Sequence, residues 1–278
     1  MTTQAEKARL FQSLHHQDHA FIIPNPWDVG TARLLANLGF SALASSSAGY
    51  AFSMGVPDCA VGRENMLEHL RALSAATDLP VSADLENGFG HDPDYVAETI
   101  RLAAQTGIVG GSIEDATNDP GSPIYDFGLA VERVRAAVEA VKSLPFPFMF
   151  TARAENYLHG RPDLDDTIRR LQAFQDAGAD VLYAPGLTKK EDIAAVVGSV
   201  DRPVNVLTGL AGITLSADEL SRLGVKRIST GSALSRAALG AFLRACAEMQ
   251  QHGTFSYTGQ AAGYQDITTM LAAQGQKT

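Results

Sequence analysis

The chain has 278 residues, 45% of them hydrophobic and 19% charged, which supplies a sizeable core and excludes disorder over most of its length. Its formal net charge of −9 argues against a general nucleic-acid or anionic-membrane surface, because both recruit basic patches, yet a few local cations could still hold a small anion. The N-terminal MTTQAEKARLFQSLHHQDHA lacks the apolar centre of a signal peptide, and no stretch reaches the roughly 20 apolar residues of a membrane span, so a cytoplasmic protein is expected.

Short apolar runs then recur along the chain at 21–24 (FIIP), 41–45 (SALAS), 80–84 (PVSAD), 109–114 (VGGSIE), 148–152 (FMFTA), 180–184 (DVLYA), 203–207 (PVNVL) and 226–230 (KRIST). Helical patterns separate them. Asp92 and Pro93 read as an N-cap and first-turn proline, with Gly107 as the stop. Val131, Val134, Val138 and Val141 repeat at helical steps, as do Ile168, Leu171 and Phe174. Gly39, Gly178 and Gly224 end other helices. Eight strand-helix units predict an α/β fold of the TIM (β/α)8 type, a single barrel domain over 1–278. An open doubly wound sheet would usually use fewer strands and carry a GxGxxG turn after the first. After the eighth unit, about residues 251–278 begin near Gly253 and include YQDITTMLAAQ, which predicts an additional C-terminal helix.

In a barrel the active site lies at the C-terminal strand ends, and this rule selects the polar residues. Asp84 and Glu86 follow the third strand, and Glu114 and Asp115 the fourth. Carboxylates beside apolar neighbours are costly unless a cation or hydrogen bonds replace their hydration. The set suits a hard cation such as Mg²⁺ better than zinc. The same carboxylates could instead cap helices or pair with Arg153, the arginine at the fifth strand end, whose planar fork suits a carboxylate or phosphate. Ser45 to Gly49 after the second strand offer successive backbone amides as an anion cradle. No lysine falls at a strand end as a Schiff-base aldolase requires. His91 and His159 are the histidines nearest the predicted site, and both read as surface residues. Cys59 and Cys246 lie far apart and read as free thiols.

With SSSAGYAFSMGVPD (45–58), SADLENGFG (82–90), SIED (112–115) and FTARAENY (150–157) in order, the chain resembles the isocitrate lyase and phosphoenolpyruvate mutase superfamily over roughly residues 10–245. The resemblance implies Mg²⁺, with Mn²⁺ as an alternative, and small anionic 2-oxo or 2-hydroxy acid substrates. It also implies a homo-oligomer, a tetramer or dimer, in which the C-terminal helix is exchanged between subunits. Asp84 matches the direct metal ligand, and Glu86, Glu114 and Asp58 match residues that hold its waters. The main chain of Ser47, Ala48 and Gly49 matches the substrate-carboxylate turn. Arg153 matches the arginine that pairs with substrate anions, and with Glu114 and Asp58 it makes up the expected catalytic set.

One departure bears on the reaction. The carbon-carbon lyases of this superfamily carry a Lys-x-Cys-Gly-His loop after the fourth strand, whereas residues 115–128 here read DATNDPGSPIYDFG. Loss of CO₂ from oxaloacetate forms an enolate without that thiol acid, so decarboxylation is the expected reaction. The alternatives are phosphonopyruvate hydrolase or mutase chemistry at a carbon-phosphorus bond, with Asn118 in the gating loop, and (methyl)isocitrate-type cleavage using Tyr125 or water as the acid. A binding protein without turnover is a further alternative.

Overall fold

A computed structural model describes residues 2–272. Its strands are β1 (Phe21–Ile23), β2 (Leu43–Ala44), β3 (Val81–Asp84), β4 (Gly110–Glu114), β5 (Met149–Arg153), β6 (Val181–Tyr183), β7 (Val204–Leu207) and β8 (Arg227–Ser229). The helices are α1 (Gln4–Leu14), α2 (Val29–Asn37), α3 (Ser47–Ser53), α4 (Arg63–Ala75), α5 (Pro93–Ala104) and α6 (Phe127–Lys142). They continue as α7 (Leu164–Asp176), α8 (Lys190–Gly198), α9 (Ala217–Arg222), α10 (Ala233–His252) and, after a 3₁₀ turn at Ser256–Gln260, α11 (Tyr264–Ala272).

Every predicted run contains a strand, and all the ladders are parallel in the order β1-β8-β7-β6-β5-β4-β3-β2. The β1–β2 seam carries no ladder among the described residues; Ala44 N–H donates across it to the Pro24 carbonyl at 3.1 Å. Asn25 reinforces it. The amide Nδ2 donates to the Ser45 carbonyl at 3.0 Å, while Oδ1 accepts from the Thr230 and Gly231 amides, each at 2.9 Å. The fold is therefore the expected TIM barrel, nearly closed by its ladders and stitched at its rim by a side chain.

The helices bury the faces that the periodicity marked, among them Val131, Val134 and Val138 on α6 and Leu171 and Phe174 on α7. Asp92 caps α5 by accepting from the Asp94 amide at 2.8 Å. Two helices exceed the sequence reading. α3 forms where an open Ser-rich turn was expected, and α1 forms from the N-terminal segment, started by a Thr3–Glu6 capping box. α1 sets Ala8, Phe11 and Leu14 against Phe21, Val109, Met149 and Val181, at or next to the strand starts. It plugs the barrel at the end opposite the carboxylates.

The expected C-terminal extension is the end of α10, the 3₁₀ turn and α11, while residues 273–278 lie outside the described residues. α11 packs on α2 of the same chain, where Asn37 Nδ2 donates to the Met270 carbonyl. α10 leaves Leu239, Phe242 and Leu243 exposed. Among the described residues no helix is long and apolar enough to cross a membrane.

Gly110 lets α1 approach β4. A Cβ there would lie 2.7 Å from Phe11 Cε1 and 2.8 Å from the Met149 carbonyl oxygen. Gly110→Ala is expected to destabilise the chain by about 1–3 kcal/mol through overpacking, read as a lower urea midpoint. An unchanged midpoint would mean that α1 does not seat against the barrel as described.

Candidate active site

The C-terminal strand ends surround a cavity of about 350 Å³. Every expected site residue except Gly49 lines it: Ser47, Ala48, Asp58, Asp84, Glu86, Glu114 and Arg153. Arg153 is its hub. The guanidinium is 13% exposed and reaches Asp84 at 3.0 Å, Glu114 at 3.0 Å and Glu155 at 2.9 Å. The three carboxylates come from β3, from β4 and from just beyond β5, so parallel pairing of these strands delivers them to one cation. Burial opposes the charge on Arg153, but Glu155, Glu114 and Asp84 outweigh it and hold the guanidinium well above its ordinary range.

Glu86 leaves the strand line in the left-handed region, φ 50°, in a tight turn whose carbonyl accepts from the Glu114 amide at 3.0 Å. Arg133, itself buried, clamps this turn by donating to the carbonyls of Asn87, Gly90 and His91. The Glu86 carboxylate is 3% exposed, and its Oε1 is sealed from solvent without a hydrogen-bond partner among the described residues. Burial, with Asp84 and Asp58 nearby, pushes its carboxyl up to about 8. Burial likewise raises Glu114 and Glu155, and burial together with Asp84 raises Asp58.

Five carboxylates, Asp58, Asp84, Glu86, Glu114 and Glu155, line a cavity that receives two arginines, Arg153 and Arg227. Burial is the main cause of the raised carboxyls and the surplus of negative charge adds to it; a divalent cation would relieve that surplus. The donor set fits such a cation: all hard oxygens, one of them orphaned and buried. Mg²⁺ and Mn²⁺ suit it better than zinc. Among the described residues no three potential ligands already stand together at metal distance. Arg153 engages both Asp84 and Glu114, each at 3.0 Å.

The Ser-rich segment differs from the open cradle expected. Ser46 caps α3 by accepting from Gly49 N–H at 3.1 Å, while the Ser47 amide and hydroxyl both donate to Asp84 Oδ2, at 3.2 and 2.9 Å. Two of the three cradle amides are thus engaged within the protein. The loop after β4 folds back as a short antiparallel excursion, bridged between Ala116 and Ile124, and puts Asn118 on the cavity wall with φ 65°. Asp115 fixes its base: it accepts from the Glu155 amide at 2.8 Å and pairs with Arg170 at 2.9 Å.

Two sequence readings need correction. Tyr125 is buried, does not line this cavity, and bonds His91 Nδ1 through its hydroxyl at 2.7 Å, so it is not placed to protonate a substrate. His159 lines the cavity rather than the outer surface. Cys59, a free thiol as expected, also lines it, carried there beside Asp58 by the loop after α3. Burial and the neighbouring Asp58, Glu86 and Glu114 push its thiol up, so it holds its proton. Asn25, Tyr183 and Arg227 were also missed, since they lie just after β1 and within β6 and β8 with no motif around them. For Arg227 a signal existed: it is a charge inside the apolar run at 226–230.

A family model described as phosphoenolpyruvate phosphomutase matches residues 11–250. An uncharacterized protein of Mycobacterium tuberculosis is 33% identical over 80% of this chain and 81% of its own. 2-Methylisocitrate lyase of Escherichia coli K12 is 29% identical over 74% of this chain and 73% of its own. Oxaloacetate decarboxylase of Paraburkholderia xenovorans is also 29% identical, over 94% and 87%. A crystal structure of a Burkholderia cenocepacia J2315 protein described as a lyase/mutase is 62% identical, with a TM-score of 0.94 over 97% of this chain and 96% of that one. Equal identity to a methylisocitrate lyase and an oxaloacetate decarboxylase leaves the reaction to the chemistry of the site. The chain belongs to the phosphoenolpyruvate phosphomutase family, within the isocitrate lyase and PEP mutase superfamily.

Proposed function

We propose that the chain is a Mg²⁺-dependent lyase acting on a small 2-oxo acid, and that its reaction is the decarboxylation of oxaloacetate. The observation that carries this reading is the buried, partnerless Glu86 Oε1 in a cavity where carboxylates outnumber arginines. The similarity to an oxaloacetate decarboxylase supports it. Asp84 would be the direct ligand, with Glu86, Glu114 and Asp58 holding coordinated waters. When bound, the cation supplies Lewis-acid stabilisation of the enolate oxygen.

The chain's own residues bind and orient. The Ser47 amide and hydroxyl, once turned from Asp84, would join Ala48 N–H in binding a substrate carboxylate. Arg153 fixes the spacing of Asp84, Glu114 and Glu155 and shares its charge with the bound anion. The C3–C4 bond breaks, its electron pair delocalises into the C2 carbonyl, CO₂ leaves, and C3 takes a proton from water. No protein acid need touch the departing group, which suits a loop after β4 without thiol or imidazole.

One observation favours a second reading, carbon-carbon cleavage of a larger 2-hydroxy acid. Cys59 reaches the cavity from another loop with its proton retained, and could serve there as the acid. We also propose a homo-oligomer that uses the exposed apolar side chains of α10.

Release of CO₂ from oxaloacetate by the Mg²⁺-loaded protein above the metal-only rate is the direct test. No excess, with a cleaved product from methylisocitrate that is lost in Cys59→Ser, would favour the second reading. No product from any acid would leave a binding protein. Asp84→Ala is expected to abolish Mg²⁺ binding in calorimetry and to lower kcat/KM about 10²–10³-fold, with unchanged circular dichroism. Normal metal affinity would refute the assignment.

Glu86 also sets a pH dependence. In metal-free protein its folded value of about 8 exceeds the ordinary 4.5, so between these values the folded state holds a proton that the unfolded state has released. Stability should therefore fall as pH rises through that window. Urea denaturation in chelator should show the slope in wild type and a flatter one in Glu86→Gln; equal slopes would exclude Glu86 as its source. Cation and proton compete, so Mg²⁺ affinity should rise over the same window.

A further inference from the structure

Arg227 begins β8, yet its side chain enters the barrel interior and lines the floor of the cavity. It is 4% exposed. Nε donates to Asn205 Oδ1 at 2.9 Å and Nη1 to Thr151 Oγ1 at 3.0 Å, both neutral acceptors. Among the described residues no carboxylate lies within ion-pairing distance, and Nη2 has no partner, although it is not sealed from solvent. The other buried arginines differ: Arg153 holds three carboxylates, Arg170 two, and Arg133 three carbonyls.

A buried cation without a counter-charge is costly. Here Arg153, lining the same cavity, works further against it: burial first, and that like charge among the other causes, bring Arg227 down to about 10, still cationic at neutral pH. The posture is nonetheless fixed. Asn205 Nδ2 donates to Ser229 Oγ at 2.9 Å, which turns the amide oxygen toward Nε. The result is a rigid guanidinium with one free edge open to the cavity, the form in which arginine recognises a carboxylate.

We propose that Arg227 binds the second acid group of the substrate and so selects a dianion, a dicarboxylic 2-oxo or 2-hydroxy acid, over a monoacid. The inference rests on the 2-oxo acid reading of the cavity. An anion seated at the floor would neutralise Arg227 and screen it from Arg153. Arg227 acts here as a specificity residue rather than as an acid or base.

The test compares two ligands with the same four-carbon chain, malate with two carboxylates and 2-hydroxybutyrate with one, titrated calorimetrically into the Mg²⁺-loaded protein. Wild type should prefer malate. Arg227→Met should weaken malate about 10–100-fold, the scale of a charged hydrogen bond, while leaving 2-hydroxybutyrate within about twofold. Arg227→Lys should recover part of the preference. Should Arg227→Met fail to fold, Asn205→Asp decides the matter: it keeps Arg227 in place but supplies a counter-charge, and should remove the same preference. Parallel loss of both ligands in these variants, or unchanged malate binding, would overturn the role of Arg227 and leave the 2-oxo acid reading standing. Wild type that binds neither ligand would overturn both.

Discussion

The site depends on one buried cation holding three carboxylates. Arg153 ties the end of β3 through Asp84 to the end of β4 through Glu114 and to the start of the following loop through Glu155. None of these groups would be tolerated alone in so closed a place, and breaking such a set by removing one partner costs far more than an exposed ion pair. The barrel makes the meeting possible. Parallel neighbours in register place Asp84 beside Ser112 and Glu114 beside Arg153, so the side chains converge over the sheet.

The surroundings of Arg153 read as support for that arrangement. Arg133 clamps the turn that carries Glu86, and Asp115 with Arg170 fixes the backbone at Glu155. Asn25 closes the seam next to the serine segment. At the opposite end of the barrel α1 packs Ala8, Phe11 and Leu14 against Phe21, Val109, Met149 and Val181. Two arginines leave the acids in excess, and burial together with that surplus raises the carboxyls of Glu86 and Glu114. A divalent ion would offset that surplus, which links the electrostatics of the cavity to the lyase chemistry proposed for it.

The eight strands were legible because each is a short apolar run bounded by turn residues and separated by helical periodicity. Asp84, Glu86, Glu114 and Arg153 were legible for a related reason: a charge at the end of such a run is conspicuous. The remainder depended on distance in space. Cys59 sits in a loop whose path no local pattern encodes, and Tyr125 faces His91 only because the loop after β4 folds back on itself. The Ser-rich turn became a helix because Ser46 caps it, and its amides then turned to Asp84. Arg227 lies at the start of its strand, where the rule that looks to C-terminal ends does not search. Its length carries the guanidinium to the cavity floor.

Anomalous diffraction from a crystal soaked in Mn²⁺ is the sharpest check that the carboxylate cluster is a divalent-cation site. A single strong peak is expected inside the cavity, within ligand distance of the Asp84 carboxylate and bridged through waters to Glu86 and Glu114. A cavity without a peak at saturating Mn²⁺, with Arg153 still holding all three carboxylates, would contradict it.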